Sequence, residues 1–164
     1  MHKIGVVILR AVMRSIGRRS SPALRRFIVV MSLFHLWVYR RTCGLLGRRL
    51  GLRHGRILLL TTTGRRTGQP RTVPLLTVED GDDLVVVASH GGLDEPPAWW
   101  LNLAAHPDAV VETAGRRFTV LAETVDDDRY AELWQRLVRA FPGYQDYRRR
   151  TDREMPIAVL HLTS

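Results

Sequence analysis

Short apolar runs separated by turn residues dominate the chain from residue 57 onward. Runs that are rich in Leu, Val, Ile and Thr and bounded by Gly, Pro or Asp are typical of β-strands. Asp80-Gly81-Asp82 and Ala114-Gly115 have the composition of hairpin turns. The pattern therefore predicts strands at 57–63, 71–79, 83–89, 108–114, 116–124 and 157–163.

Two helical segments interrupt the strands. Residues 96–105 carry prolines in the first turn, where the missing N–H costs nothing, and end before His106-Pro107. Residues 129–140 follow three aspartates that suit a helix N-terminus, and end before Pro142-Gly143. Short antiparallel strands with hairpin spacing and few helices predict a mainly β (α+β) fold, a small closed barrel of about six strands.

Residues 1–56 follow a different pattern and are predicted to form a helical arm ahead of a barrel domain at 57–164. The stretch 27–39, FIVVMSLFHLWVY, is apolar around the whole helical circumference and is bracketed by arginines. Its 13 residues are too few to span a membrane, which needs about 20. It either lies in an anionic membrane interface or packs on the barrel. A secretory signal peptide is disfavoured, because no small-x-small cleavage site follows.

Charge divides the chain sharply. No Asp or Glu precedes Glu79, whereas 16 Lys and Arg do, and the remainder holds 9 basic and 16 acidic residues, so +16 and −7 give the net +9. A basic first half points to an anionic partner: lipid headgroups, nucleic acid or an acidic cofactor. Cys43 is the single cysteine, so no intrachain disulfide can form and a reducing, cytoplasmic location is expected.

Several kinds of chemistry lack support in the sequence. A length of 164 residues suits one domain with a sizeable core. The six histidines are scattered, without HxxxH or HExxH spacing, so no metal site is expected. No serine lies in a GxSxG elbow, which leaves acyl-transfer hydrolysis without a nucleophile.

The loop between the first two predicted strands concentrates positive charge. Arg65, Arg66 and Arg71 accompany the Thr67 hydroxyl and two glycines there. Guanidinium groups and glycine-exposed N–H groups suit a phosphate or a carboxylate. The loop is not a P-loop, because the GxxxxGK[ST] pattern is absent and a strand follows it. A hairpin tip with solvated arginines is an equally good interpretation of this segment alone.

Three further segments carry candidate chemistry. The third strand ends in the glycine pair of residues 91–92, which would let backbone approach a flat ligand. Trp99 and Asn102 share one face of a helix. An aromatic series spaced by threes follows the second helix: Phe141, Tyr144 and Tyr147. Taken singly, these segments also fit turn glycines, core tryptophans and a core stripe.

Taken together and in order, these motifs resemble the deazaflavin-dependent nitroreductase family, whose members use coenzyme F420. The resemblance runs from Leu58 to the C-terminus and rests on the strings LLLTTTGRRTGQPRTVPLL, VVVASHGG, PAWWLNL, HPDAVVE, GRRF and RTDREMPIAVL. It implies a split β-barrel, homologous to flavin mononucleotide-binding oxidases. It also implies an oxidoreductase that transfers a hydride from reduced F420 to a planar acceptor such as a quinone or a nitroaromatic.

The resemblance implies a site, position by position. The phosphate and acidic tail of the cofactor would meet Arg65, Arg66, Thr67 and Arg71. The strand beside the deazaflavin would be Thr72, Val73, Pro74, Leu75 and Leu76. The ring and the helix along the cofactor would involve Val87, Ala88, Ser89, His90, Ala98, Trp99, Trp100, Leu101 and Asn102. Tyr144 would lie over the ring, and the groups expected to orient substrate or donate a proton are Ser89, Tyr144 and Tyr147. His90 stands where the nitroreductase itself has a lysine.

Two alternatives stay open beside this reading. One is a flavin mononucleotide enzyme on the same barrel, against which the three-arginine loop argues. The other is a non-catalytic basic module that binds lipid, cofactor or nucleic acid. Nucleic acid is disfavoured as a partner, because the aromatics lie at 99–100 and 141–147, away from the basic arm. A quinone is the favoured acceptor if the arm holds the protein peripherally at the cytoplasmic face of a membrane. The sequence leaves homodimer formation open.

Overall fold

Six antiparallel strands form the framework of the computed structural model, which describes residues 55–163. The strands are β1 Arg56–Thr63, β2 Pro70–Asp80, β3 Asp83–Val87, β4 Asp108–Thr113, β5 Arg116–Thr124 and β6 Ile157–Leu162. They close into a barrel in the order β1-β2-β3-β6-β5-β4. The helices are α1 Ala98–Ala105, α2 Asp127–Ala140 and α3 Gly143–Arg148, with a 3₁₀ turn at His90–Gly92. The predicted mainly β barrel is confirmed, and each predicted strand lies within two residues of an observed one.

The predicted arm, residues 1–56, lies outside the described residues except at its end. Gly55 is described, and Arg56 already belongs to β1. The interpretation of the stretch 27–39 therefore remains a sequence prediction.

The barrel interior is built by the alternation of side chains along the strands, which sends every second residue inward. These inward residues form the first core cluster, and α1 adds Trp99 and Leu103 to it from one end of the barrel. The members with no exposed surface are Leu58, Leu60, Val86, Ala88, Val111, Val120 and Leu160. Burying a Leu or Val side chain contributes about 1.5–3 kcal/mol, so this cluster is the main source of the barrel's stability.

A second core cluster lies outside the barrel, between α2 and the strands β2, β3 and β6. Its strand side is apolar on the face that points away from the interior, at positions such as Val85 and Val159. Helix α2 contributes Leu133, Trp134 and Leu137. It begins two residues earlier than predicted, because Asp126 caps it by accepting a hydrogen bond from the N–H of Arg129 at 3.2 Å.

Helix α3 was not predicted. It is a short helix directly after Pro142 and begins with Gly143, a residue of low helix propensity. Its Tyr144 and Tyr147, three residues apart, both point into the second core cluster. The spacing that suggested an aromatic wall is thus the spacing of one helical face.

The strand directions place two sets of connections at opposite ends of the barrel. The carboxyl ends of β1, β3 and β5 meet the amino ends of β2, β4 and β6 at one end, which we call the loop end. Residues 64–69, 88–97 and 153–156 connect the strands there. The hairpin end carries the two predicted turns, whose residues adopt positive φ as tight hairpins require: Gly81 at 63°, Ala114 at 50° and Gly115 at 77°.

The barrel is interrupted between β2 and β3. β2 pairs with β1 over residues 70–77 but with β3 only over residues 78–80. At the point where the strands part, the buried hydroxyl of Thr77 donates to the carbonyl of Val85 at 3.0 Å. Beyond it, no strand among the described residues pairs with that edge of β2, so the barrel opens toward its loop end. Pro74 lies in this stretch, and proline lacks the N–H that a paired edge would use.

His161 links three strands on the outside of the barrel. Its Nδ1 lies 2.8 Å from Asp83 Oδ2 on β3, and its Nε2 lies 2.9 Å from Glu123 Oε2 on β5. The hydrogen bond to Glu123, and then that to Asp83, raise the pKa of His161. Its contribution to stability is therefore fully present below the unfolded pKa of about 6.5 and is lost as the pH rises through the folded pKa.

His161→Gln should accordingly lower the free energy of unfolding most at about pH 5.5 and progressively less toward pH 9. We expect a loss of about 0.2–1 kcal/mol, because the side chain is 34% exposed. Urea unfolding at the two pH values measures it, with exposed His106→Gln as the matched control. An equal loss at both pH values would show that the imidazole charge does not matter.

Candidate functional site

The loop between β1 and β2 closes on its own backbone. Gly64 N–H donates to Gln69 O at 2.9 Å, and Gly64 O accepts from the N–H groups of Thr67 at 3.1 Å and Gly68 at 2.7 Å. A Cβ at Gly64 would lie 3.0 Å from Gln69 O, so the first position of the loop favours glycine. The loop therefore holds its shape without using its charged side chains.

Three guanidinium groups project from this loop. Arg65, Arg66 and Arg71 are exposed, and none forms an ion pair with a carboxylate within residues 55–163. Residues 1–54 contain no Asp or Glu that could serve instead. Three adjacent cations without a side-chain counter-charge attract an anion strongly. Thr67, the fourth predicted phosphate contact, is exposed beside them.

Asn102 of α1 fixes the loop to the barrel. Its side chain is 4% exposed. Its Oδ1 accepts from the N–H of Arg65 at 3.2 Å, and its Nδ2 donates to Thr62 Oγ1 at 3.0 Å. Both ends of its amide thus bond to the protein and set the position of the arginine loop. The expected place of Asn102 along the cofactor stays a prediction.

A second loop, residues 88–93, follows β3 on the other side of the interruption. Its carbonyl groups converge on one guanidinium, that of Arg153, which precedes β6. Arg153 Nε donates to Leu93 O at 3.2 Å, and one terminal nitrogen donates to both Ala88 O at 3.1 Å and Ser89 O at 3.2 Å. The other terminal nitrogen donates to Glu154 O at 2.7 Å. Burial lowers the pKa of Arg153, and nearby Asp94 acts in the opposite direction.

Sequence reasoning missed the role of Arg153. The string RTDREMPIAVL supports the family resemblance, but it assigns no function to any single residue. Its partners lie 60 to 65 residues earlier in the chain, so no local spacing could reveal the contact. A second tie reinforces it: Thr151 Oγ1 donates to Asp94 Oδ1 at 2.8 Å and accepts from Arg153 N–H at 3.1 Å.

The two glycines of this turn differ in their surroundings. Gly92 has φ +80°, and a Cβ there would lie 2.8 Å from Tyr147 O. The backbone of α3 therefore approaches Gly92 closely, which explains the need for glycine there. Gly91 has φ +66° and nothing within 4 Å of its would-be Cβ. His90 between Ser89 and Gly91 also has positive φ, 46°, which is unusual for a residue with a side chain.

Tyr144 and Tyr147 lie inside the second core cluster. Tyr144 is 6% exposed and Tyr147 is 9% exposed, and their ring centroids are 6.1 Å apart. Burial raises the pKa of Tyr144, with Tyr147 adding to the shift, and burial likewise raises the pKa of Tyr147. Packing against Trp134 and Phe141 therefore holds the ring of Tyr144 in place.

The remaining predicted site residues fall on both faces of their elements. Val73 and Leu75 pack against the barrel interior, and Leu76 packs against the second core cluster. One ligand thus meets at most every second side chain of β2 and reaches the others through backbone. On the neighbouring β3 loop and on α1 the buried residues are Val87, Ala88, Trp99 and Asn102, and the others reach the surface at least in part: Ser89, His90, Ala98, Trp100 and Leu101. Thr72 bonds Thr61 through the two hydroxyls at 2.9 Å, and Pro74 is half-buried.

The structure thus brings two groups of predicted residues to the loop end. The arginine loop and the open edge of β2 lie on one side of the interruption, and the end of β3 with the Ser89–His90 turn lies on the other. The tyrosines reach this site only through the contact of α3 with Gly92. Within residues 55–163, no cluster of three His, Cys, Asp or Glu residues could hold a metal ion.

Comparison with known proteins identifies the class of this barrel. The profile of the F420H2-dependent quinone reductase family matches residues 31–161. An F420H2-dependent quinone reductase of Mycobacterium tuberculosis is 41% identical over 142 residues, which is 84% of this chain and 94% of the relative. The solved F420-H2 dependent reductase FDR-A superposes with a TM-score of 0.60 at 33% identity, over 64% of this chain and 93% of that one. A protein solved as a domain-swapped dimer has a TM-score of 0.61 at 30% identity, over 76% and 97%.

These matches define a split-barrel oxidoreductase, as the motifs had indicated. The chain belongs to the F420H2-dependent quinone reductase family, and coenzyme F420 is its cofactor.

Arg153→Lys should loosen the turn while keeping the charge, because a lysine cannot reach four carbonyl groups at once. We expect faster hydrogen–deuterium exchange at the amides of residues 88–93 and a loss of about 1–3 kcal/mol in unfolding free energy. Arg149→Lys is the matched control, because the Arg149 side chain is 76% exposed and makes one ion pair, with Asp146. Unchanged exchange in Arg153→Lys would show that other bonds hold the turn.

Proposed function

We propose that this protein reduces a quinone with reduced F420 bound across the loop end of the barrel. The anionic part of the cofactor lies at Arg65, Arg66, Thr67 and Arg71, and its ring lies in the opening between β2 and β3. Bound F420 in its reduced form supplies the hydride. The observation that carries this assignment is the cluster of three unpaired guanidinium groups next to an open strand edge.

The residues present fit the chemistry of the cofactor. F420 carries a phosphodiester and an oligoglutamate tail, which require several cations that are not already paired. The arginine loop offers three, held by a backbone that Asn102 anchors. A flavin mononucleotide has one terminal phosphate and would leave part of this positive charge uncompensated. The interrupted pairing of β2 leaves backbone donors and acceptors for a flat, polar heterocycle.

On the opposite side of the opening, the protein orients the acceptor. Ser89 offers a hydroxyl on a turn that Arg153 immobilises. Its hydroxyl acts as a hydrogen-bond donor toward an acceptor oxygen that gains charge on reduction. Tyr144 and Tyr147, buried in the second core cluster, support this turn from behind through the contact of α3 with Gly92. A nitroaromatic compound has oxygens at similar positions and is a second candidate acceptor for the same site.

The double variant Arg65→Ala with Arg66→Ala tests the cofactor assignment. Each charge-assisted hydrogen bond contributes about 1.5–3 kcal/mol, so F420 affinity should fall at least about tenfold. The affinity of the unchanged protein should also fall with added salt, because the contacts are exposed. Quenching of F420 fluorescence measures both effects.

Arg116→Ala with Arg117→Ala is the matched control. This pair removes the same charge from exposed positions at the hairpin end of the barrel. If the two double variants lose affinity equally, only the net charge of the protein matters and the arginine loop is not the site. Tighter binding of flavin mononucleotide than of F420 by the unchanged protein would overturn the assignment.

We further propose that the arm brings the site to the cytoplasmic face of an anionic membrane, in which quinones dissolve. The support is sequence alone: an apolar stretch at 27–39 bracketed by arginines, in a segment free of acid. The helices within residues 55–163 are all too short or too polar to cross a bilayer.

Sedimentation of the full chain with vesicles tests this placement. We expect the protein to sediment with phosphatidylglycerol vesicles at low salt and less with phosphatidylcholine vesicles. Replacing Arg25, Arg26, Arg40 and Arg41 with Glu should return it to the supernatant. If the unchanged protein stays in the supernatant with phosphatidylglycerol vesicles, the arm packs on the barrel instead.

A further inference from the structure

Reduction of a quinone consumes a proton as well as a hydride. This step rests on the proposed function, and the group that supplies the proton is not evident from the family motifs. Ser89 is an alcohol and does not release its proton near neutral pH. Burial raises the pKa of Tyr144 and of Tyr147, so both keep their protons there. Ser89 can donate a hydrogen bond to the acceptor, but none of the three side chains is an efficient acid.

His90 follows Ser89 in the turn after β3, and its imidazole is partly exposed. Its Nδ1 lies 2.8 Å from the carbonyl oxygen of Glu95. A carbonyl oxygen can only accept, so Nδ1 must carry hydrogen in the neutral as well as the protonated ring. The nitrogen that gains and loses the proton is therefore Nε2. The bond to Glu95 thus assigns both the tautomer and the orientation of the ring.

The backbone of His90 is held as firmly as its ring. Arg153 donates hydrogen bonds to the carbonyl groups of the two residues that precede His90, Ala88 and Ser89. His90 itself has φ 46°, a conformation that a residue with a side chain keeps only when its surroundings impose it. The charged or titratable groups on the elements packed against this turn are Asp94, Glu95, Tyr147, Arg150 and Arg153. Arginines therefore lie near the turn, with Arg150 two residues after the end of α3 and Arg153 ahead of β6.

We infer that His90 is the general acid of the reaction and acts through Nε2. The acceptor gains a hydride, with its two electrons, from the reduced cofactor, and a proton from His90. The Nε2–H bond breaks as the O–H bond of the quinol forms, and the ring is left neutral with hydrogen on Nδ1. A proton from solvent then restores the imidazolium, since His90 is not fully buried. An imidazolium is a stronger acid than the hydroxyl of serine or tyrosine, which suits it to this role.

Two readouts test this role, and the first needs no cofactor. Nitrogen-15 NMR of the full chain labelled at histidine should show hydrogen on Nδ1 and titration at Nε2 for His90. The second is the pH dependence of kcat for menadione reduction. Wild type should lose rate at alkaline pH with the same midpoint as the NMR titration. His90→Gln should lower kcat about a hundredfold and abolish that alkaline limb.

Further variants separate acid catalysis from structural damage. His90→Lys restores a cationic acid and should move the alkaline limb to higher pH. Tyr144→Phe should leave the limb where it is, since Tyr144 lies in the second core cluster and burial keeps its proton in place. His161 lies on the outer face of the barrel, where it contacts Asp83 and Glu123. His161→Gln should therefore leave both the limb and kcat unchanged. His90→Gln should keep the wild-type hydrogen–deuterium exchange at residues 88–93, which shows that the turn still folds.

Three results would overturn the inference. They are a neutral His90 with hydrogen on Nε2, a wild-type limb that persists in His90→Gln, and a limb that moves in Tyr144→Phe. Failure of the proposed function looks different: wild type would then bind F420 but leave menadione unreduced at every pH, whereas the NMR result would stand.

Discussion

The parting of β2 from β3 is the constraint on which the site depends. A fully paired barrel of six strands has no free edge, and its interior is filled by its own side chains. Here β2 continues along β1 for the whole of residues 70–77 while β3 turns toward β6. Thr77 ends the shared ladder by giving its hydroxyl to Val85 O, so the opening begins at a satisfied hydrogen bond. The loops on both sides of the opening are then free to serve a ligand.

Three guanidinium groups without a carboxylate partner within residues 55–163 destabilise the arginine loop, and backbone hydrogen bonds offset this repulsion. Like charges at adjacent positions repel, and no carboxylate among the described residues offsets Arg65, Arg66 or Arg71. The loop is instead stabilised by its own N–H and carbonyl groups and by the buried amide of Asn102. Because these contacts are uncharged, they fix the loop without competing for the anion. Ion pairs within the described residues lie elsewhere, for example where Asp80 meets Arg129 and Arg136.

Local patterns predicted the barrel well and the site only in part. The six strands and both hairpins follow from alternation and from turn residues, which act over a few positions. The interruption of the barrel could have been inferred from Pro74, since proline inside a strand indicates an unpaired edge. Helix α3 could not be predicted because Pro142 and Gly143, two residues that are typical of turns, stand at its start. The contacts of Arg153 and Asn102 join segments 37 to 65 residues apart, and only the closed topology determines them.

Each of the two core clusters supports a different loop of the site. The arginine loop is anchored to α1, which belongs to the cluster inside the barrel. The Ser89–His90 turn is anchored by Arg153 and by the close approach of α3 at Gly92, and α3 belongs to the cluster outside the barrel. A change in the packing of Tyr144 therefore acts first on the Ser89–His90 turn, through α3. A change at Trp99 or Leu103 acts first on the arginine loop, through α1. The arginine loop and the Ser89–His90 turn thus depend on different cores. Under the proposed function, substitutions in one core should alter cofactor binding and substitutions in the other should alter turnover.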